Sequence, residues 1–219
     1  MAQSGNPSRP RLTADERREQ ALAAARRLIL RAGIEAASVR NVATEAGMAT
    51  GSLRHIFPSH ESLFTALMAD NADRAAARIQ DVFTRELAAG TPVRGTFLAV
   101  LRETIPLSDA SRADFVVQLA LFTGHPDSAP IREAIADAGE KLDQLCAITV
   151  AKLRPDLAPD LDPDLVSDVA TTAELATDLR VALDGIALRC LENPGYATDA
   201  GTRGAEATLA RALDRVAGA

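Results

Sequence analysis

Apolar residues recur along this chain at three- and four-residue intervals, the spacing of helices with one buried face. Val39, Val42, Ala43 and Ala46 follow the i, i+3, i+4, i+7 pattern, and Gly47 ends that run where a residue free to take positive φ is wanted. The pattern resumes from Ala49 to Phe57 with Leu53, Ile56 and Phe57 inward, until Pro58 stops it. Ala43, four residues before Gly47, is small enough to let the second helix cross the first closely. Two short helices joined by a tight turn describe a helix-turn-helix, whose second helix enters the DNA major groove.

The same periodicity organises the remainder. Thr13 and Glu16 form a capping box before a helix running to about Ala32, with Leu22, Ala25, Leu28, Ile29 and Ala32 on one face and Gly33 closing it. Its arginines (Arg17, Arg18, Arg26, Arg27, Arg31) read mostly as a solvated face. A fourth helix begins at Ser59 or His60 and continues towards Leu87, ending near Gly90. Further helices are expected near 92–105, 109–123, 129–153, 163–192 and 199–217, separated by proline- and glycine-containing breaks such as Asn193-Pro-Gly195. The repeated Pro-Asp-Leu of 155–165 reads as a loop whose last copy starts a helix, with Asp162 as cap and Pro163 in its first turn. The helix near 163–192 has one apolar stripe (Leu165, Val169, Ala173, Ala176, Leu179, Leu183, Ile186, Cys190) and a second apolar flank at Leu175, Ala182, Leu188 and Leu191. Two buried faces suggest packing against a subunit as well as inward, with the last helix (Ala207, Leu209, Ala210, Leu213, Val216) contributing; an intramolecular bundle is the alternative. The expectation is an all-α chain of about nine helices: an arm over 1–12, a helix-turn-helix domain over 13–63 and a helical effector-binding and dimerisation domain over 64–219.

Composition agrees, being rich in Ala and Leu with no Trp and one Tyr. A net charge of −6 argues against a nucleic-acid partner until its distribution is considered. Residues 1–63 carry a balance of +3 and residues 64–219 one of −9, which suits a protein that presents only one end to DNA. Arg9 and Arg11 in the arm could touch phosphates, or the arm could be a solvated tail. Cys146 and Cys190 lie in apolar helical patterns and read as buried thiols rather than a disulfide or metal pair. With no apolar stretch long enough to span a membrane and no signal-peptide pattern at the N-terminus, the expected location is the cytoplasm.

Residues 14–68 resemble the N-terminal domain of the TetR family of ligand-responsive transcriptional repressors. The resemblance rests on Gly33, the Ser38-Val39-Arg40 opening, the Ala43-to-Gly47 turn, Gly51-Ser52-Leu53-Arg54-His55-Ile56-Phe57, and Ser59-His60-Glu61-Ser62-Leu63. Two positions depart from the family pattern: Arg54 stands where Tyr is usual and His60 where Lys is usual. An Arg can grip guanine or phosphate bidentately, and a His binds phosphate more weakly than Lys. Leu179 to Leu188, containing Asp184-Gly185, looks like a motif of the family's betaine-regulator-like branch.

The resemblance implies a repressor that binds a palindromic double-stranded DNA operator as a dimer, through helices near 163–192 and 199–217, and is released by a small molecule; it implies no cofactor. Arg40 is placed as a base- or phosphate-contacting residue, Thr50, Gly51 and Arg54 face the groove, and Ser38, Ser52, His55 and His60 are candidates for phosphate. A metal site at His55 and His60 is opposed by Pro58, which puts them on different helices. An apolar effector cavity is expected in the body, with Phe83, Phe97, Phe115, Phe122, Leu119, Leu145 and Ile148 as lining candidates and Gln118, His125, Asp143 and Arg180 as polar ones. For each of these, a core or loop position is the plainer reading. Few aromatic residues weaken any aromatic cage for a cation. A helix-turn-helix regulator without an effector, or an all-α enzyme lacking every common catalytic motif, are the alternatives.

Overall fold

The computed structural model describes residues 12–157, 166–201 and 203–218, with only the backbone described at 166–170. The arm residues Arg9 and Arg11, most of the Pro-Asp-Leu repeat and the proposed cap at Asp162 lie outside them. Among the described residues there is no strand and no helix long and apolar enough to cross a membrane. The chain divides into two units, residues 1–67 and 68–219.

In the first unit, α1 (Ala14–Ala32) opens on the expected capping box: Thr13 Oγ1 accepts from the Glu16 amide, and the Glu16 carboxylate accepts from the Thr13 amide at 2.7 Å. Leu22, Ala25, Leu28 and Ile29 are buried, whereas Ala32, the last residue of the helix, is exposed. Ser38 caps α2 (Val39–Glu45), and Gly47 turns the chain at φ 63° into α3 (Thr50–Ile56). The turn is closed by Met48 N–H donating to Ala43 O and by Gln20 Nε2, reaching from α1, donating to Ala46 O at 2.8 Å. Ala43 is buried, as close crossing requires. Phe57, ahead of Pro58, leaves helical geometry and drops its ring into the core. Then α4 (His60–Ala88) begins, Ser59 and Ser62 exchanging side-chain-to-amide bonds at its start.

The α1 arginines are mostly exposed, as expected, and some of them also fasten the unit. Arg27 and Arg31 both bind Glu45 of α2, at 2.9 and 3.0 Å, and Arg18 lies over the Phe57 ring. Their hydrogen bonds hold the Glu45 carboxyl below the usual glutamate range.

The second unit contains the later part of α4 with α5 (Val93–Arg102), α6 (Asp109–Gly124), α7 (Ala129–Leu153), α8 (Val166–Glu192), α9 (Pro194–Thr198) and α10 (Ala205–Ala217). Helix α5 ends earlier than expected because the bonds from Glu103, Thr104 and Ile105 tighten to i→i−3 ahead of Pro106. The tenth helix was not expected. Asn193, read as part of a break, caps α9 through its side chain, Pro194 fills the first position, and Tyr196 anchors the turn in the core beneath Arg189. Helix α10 starts at 205 rather than 199, because the chain first folds back until Gly204 lies against the Asp199 carbonyl, where any Cβ would collide.

The core of this unit joins Phe97, Leu101 and Ile105 to Cys146 and Val150 of α7, to Leu179, Leu183, Ile186 and Cys190 of α8, and to Leu209, Leu213 and Val216 of α10. Burial pushes the Cys146 thiol up to about 12 and raises that of Cys190, so both behave as apolar filling. On α8, Ala173 of the expected inner stripe is exposed, while Leu188 of the second flank and the adjacent Val181 are exposed.

Leu53 has no solvent exposure, so Leu53→Ala should cost about 2–5 kcal/mol in urea unfolding. Glu45 contributes fully above its unfolded pKa of about 4.3, and that contribution is lost as the pH falls through its lowered folded value. Glu45→Gln should therefore lower the urea midpoint at neutral pH and bring it close to the parent's in acid.

Candidate nucleic-acid interface and a cavity in the second unit

The outward side of α3 holds Thr50, Gly51, Ser52, Arg54 and His55, all exposed, while Leu53 and Phe57 tie the other side down. Arg40 is exposed on α2. Among the described residues neither the Arg40 nor the Arg54 guanidinium has an ion-pair partner, in contrast to Arg27 and Arg31. Gly51 is unusual in a different way: it has no positive φ, and a Cβ built on it would meet nothing within 4 Å. Nothing inside the unit demands a glycine there. A shallow hollow beside this face is lined by Ala14, Arg17, Gly51, Ser52, His55 and Ile56.

Ser38 is half-buried and its Oγ accepts from the Asn41 amide at 3.3 Å. His60 sits differently from the expectation of a phosphate contact. Its Nε2 is 2.9 Å from the Ala37 carbonyl and its ring packs 4.1 Å from that of Phe64. A carbonyl only accepts, so Nε2 donates there, and that N–H is engaged inside the unit. His60 is a fastener between the start of α4 and the segment before α2. It is not grouped with His55 either: among the described residues no three His, Cys, Asp or Glu side chains converge as a metal site.

The second unit has a partly open cavity of about 640 Å³. Of the residues expected to line it, Phe115, Gln118, Leu145, Ile148 and Arg180 do so. Phe97 is packed into the core instead, Phe83 meets Phe97 edge-on at 6.4 Å with part of its ring exposed, and Phe122 faces outward on α6. Leu119, His125 and Asp143 are not on its wall, although Asp143 braces one that is. Periodicity identified these as apolar or polar helix positions but could not say which inward face meets a void.

The structure adds wall residues that sequence reading passed over, chiefly Asn71 and Arg78 on α4 and Asp114 on α6. Arg78 donates to the Asp114 carboxylate at 2.6 Å and lies 3.4 Å from Glu103, while Arg74 approaches Asp114 at 3.6 Å. Asn71 is buried, and its Nδ2 donates to the Asp114 backbone carbonyl at 2.7 Å. On the opposite wall Arg180 donates to Asp184, Asp143 and the Gly139 carbonyl. Burial works against the Arg180 charge, but Asp184 and Asp143 outweigh it and hold its pKa above the ordinary value. Asp184, the acidic residue of the Asp-Gly segment, is thus a partner of Arg180.

Comparison with known proteins bears on both units. Residues 21–67 match the model of the bacterial regulatory proteins of the tetR family. The HTH-type transcriptional regulator PksA of Bacillus subtilis (strain 168) is 34% identical over 111 residues, 51% of this chain and 52% of that protein, so the match spans about half the length of this curated relative. A transcriptional regulator from Rhodococcus sp. Rha1 superposes with a TM-score of 0.68 at 22% identity, covering 92% of this chain and 94% of its own. A protein from Saccharomonospora viridis described as a transcriptional regulator, solved with choline, gives 0.67 at 22% identity, covering 92% and 96%. The two solved structures share the all-α fold along nearly the whole chain, and the betaine-regulator-like branch does not follow from these matches. Over residues 21–67 the chain is thus similar to the tetR family of bacterial regulatory proteins, and that stretch holds the two short helices and the turn described above.

Proposed function

We propose that the chain is a ligand-responsive transcriptional repressor of the cytoplasm, acting by binding rather than catalysis. It binds a palindromic operator as a homodimer and leaves it when a small molecule occupies the cavity of the second unit. The observation that carries the DNA half is the outer face of α3. It offers an uncommitted Arg54 next to a glycine that no internal packing requires, with a second uncommitted arginine at Arg40. A glycine inside a helix costs about 0.5–1 kcal/mol against alanine, and close approach of a base edge supplies a reason for it. In this reading Arg40, Thr50, Gly51 and Arg54 meet the groove, Ser38, Ser52 and His55 meet phosphates, and His60 orders the domain from behind.

The sensing half is supported by the size and character of the cavity and by the choline-bound Saccharomonospora viridis protein, whose fold this chain shares. A ligand releases the operator only if it binds better to a conformer unsuited to DNA. Helix α4 carries cavity residues Asn71 and Arg78 and, at its other end, His60 of the DNA-binding unit, so it is the element through which occupancy would act. The dimer reading is supported by α8, which leaves Val181 and Leu188 exposed; α10 by contrast spends Leu209, Leu213 and Val216 inside its own chain. Its share in a dimer would come from the other side of the helix.

Selection of bound sequences from a random DNA pool should return a palindrome; an unselected pool would overturn the DNA half. On the selected site Arg40→Ala and Arg54→Ala should each cost about 1–3 kcal/mol, and log affinity should fall with log salt with a slope of about −0.9 per phosphate neutralised. Gly51→Ala should weaken binding while leaving stability unchanged or up to about 1 kcal/mol higher. Val181→Arg combined with Leu188→Arg should shift sedimentation from dimer towards monomer and weaken operator binding with it.

A further inference from the structure

Asn71 is 4% exposed and lines the cavity from α4. Its Nδ2 is satisfied by the Asp114 carbonyl, which fixes the orientation of the amide and leaves Oδ1 as a buried acceptor with no donor in reach. Buried polar atoms are nearly always paired, so an orphan on a cavity wall marks a place where a donor is missing. From α6, Gln118 adds a second side-chain amide that makes no hydrogen bond among the described residues.

The charged residues of the wall argue in the complementary sense. Arg78 is ion-paired with Asp114 and Glu103, although its buried Nε–H has no hydrogen-bond acceptor among the described residues, and Arg180 is balanced by Asp143 and Asp184. Lys141 is the remaining cation among the lining residues, and it is exposed to solvent. A charged ligand would have to break an existing pair or remain uncompensated in a partly desolvated space, and both are costly. An aromatic cage for a quaternary ammonium is absent too, since Phe115 is the one aromatic side chain among the lining residues. The rest of the surface is mostly alanine and larger aliphatic side chains, with the uncharged polar Gln80, Thr104, Ser111 and Gln144 among them, which suits a mostly apolar skeleton.

We infer that the effector is an uncharged, mostly apolar molecule with a hydroxyl or N–H group that donates to Asn71 Oδ1. This rests on the reading of the cavity as the effector site. It separates the chain from the choline-bound protein whose fold it shares.

The test is calorimetric titration of the full-length protein with four probes of one skeleton: 2-naphthol, 2-methoxynaphthalene, 2-naphthoate and (2-naphthylmethyl)trimethylammonium. Methylating the naphthol oxygen removes the donor and adds apolar area, so burial alone would favour the ether. The inference expects 2-naphthol to bind at least tenfold more tightly than 2-methoxynaphthalene and than either ion. In Asn71→Leu the advantage over the ether should shrink below threefold while the ether still binds. Should Asn71→Leu not fold, as judged by circular dichroism, Asn71→Ala, which only removes atoms, carries the same comparison. Tightest binding by the cation or the anion, or a naphthol preference that survives loss of Asn71, would overturn the inference and leave the cavity as a ligand site. Binding of none of the four would overturn the effector-site reading itself.

Discussion

The first unit depends on how a seven-residue helix is held. A helix of that length has no stability of its own in water, because nucleation costs more than so few bonds return. Helix α3 persists because Leu53 and Phe57 are wholly enclosed, and because the elements around it are themselves clamped. Gln20 ties α1 to the end of α2, Glu45 gathers Arg27 and Arg31, and His60 ties the start of α4 to the carbonyl of Ala37. Each of these contacts lies behind the outward face. The result is a short helix whose exposed residues are free of internal duties.

The second unit is arranged on a different principle. Helices α5, α7, α8 and α10 share a packed core, whereas the wall that α4, α6, α7 and α8 form leaves room. Apart from the exposed Lys141 its charges are paired, which lets polar side chains line a space without giving it a strong net field. A cavity with balanced charges selects by shape and by hydrogen bonding more than by charge.

Much of this was legible along the chain. The capping box at Thr13, the turn at Gly47 and the stop at Pro58 each act within one turn of helix, so local spacing is enough to place them. Helix α9 was not legible, because Asn-Pro-Gly is equally good as a break and as a helix start; burial of Tyr196 decides between them. The contacts of His60 were not legible for a similar reason. It occupies a position where a basic residue would face outward, and its partners, Ala37 and Phe64, became visible only when the first unit was folded.

The cavity marks the boundary most clearly. Helical periodicity says which side of each helix turns inward, and it brought Phe115, Leu145 and Arg180 to notice alongside Phe97, which is core. It cannot say whether an inward side meets another side chain or empty space, since that depends on helices far away in sequence. Asn71 and Asp114 are 43 residues apart, and the unpaired oxygen between them exists only because α4 and α6 meet there. The sequence by itself determined most of the helices and the resemblance of the N-terminal stretch to a known family, both of which rest on short-range spacing. Only the tertiary structure decided which arginines are spent inside the protein, where His60 points and what surrounds the cavity, because those are properties of surfaces that meet.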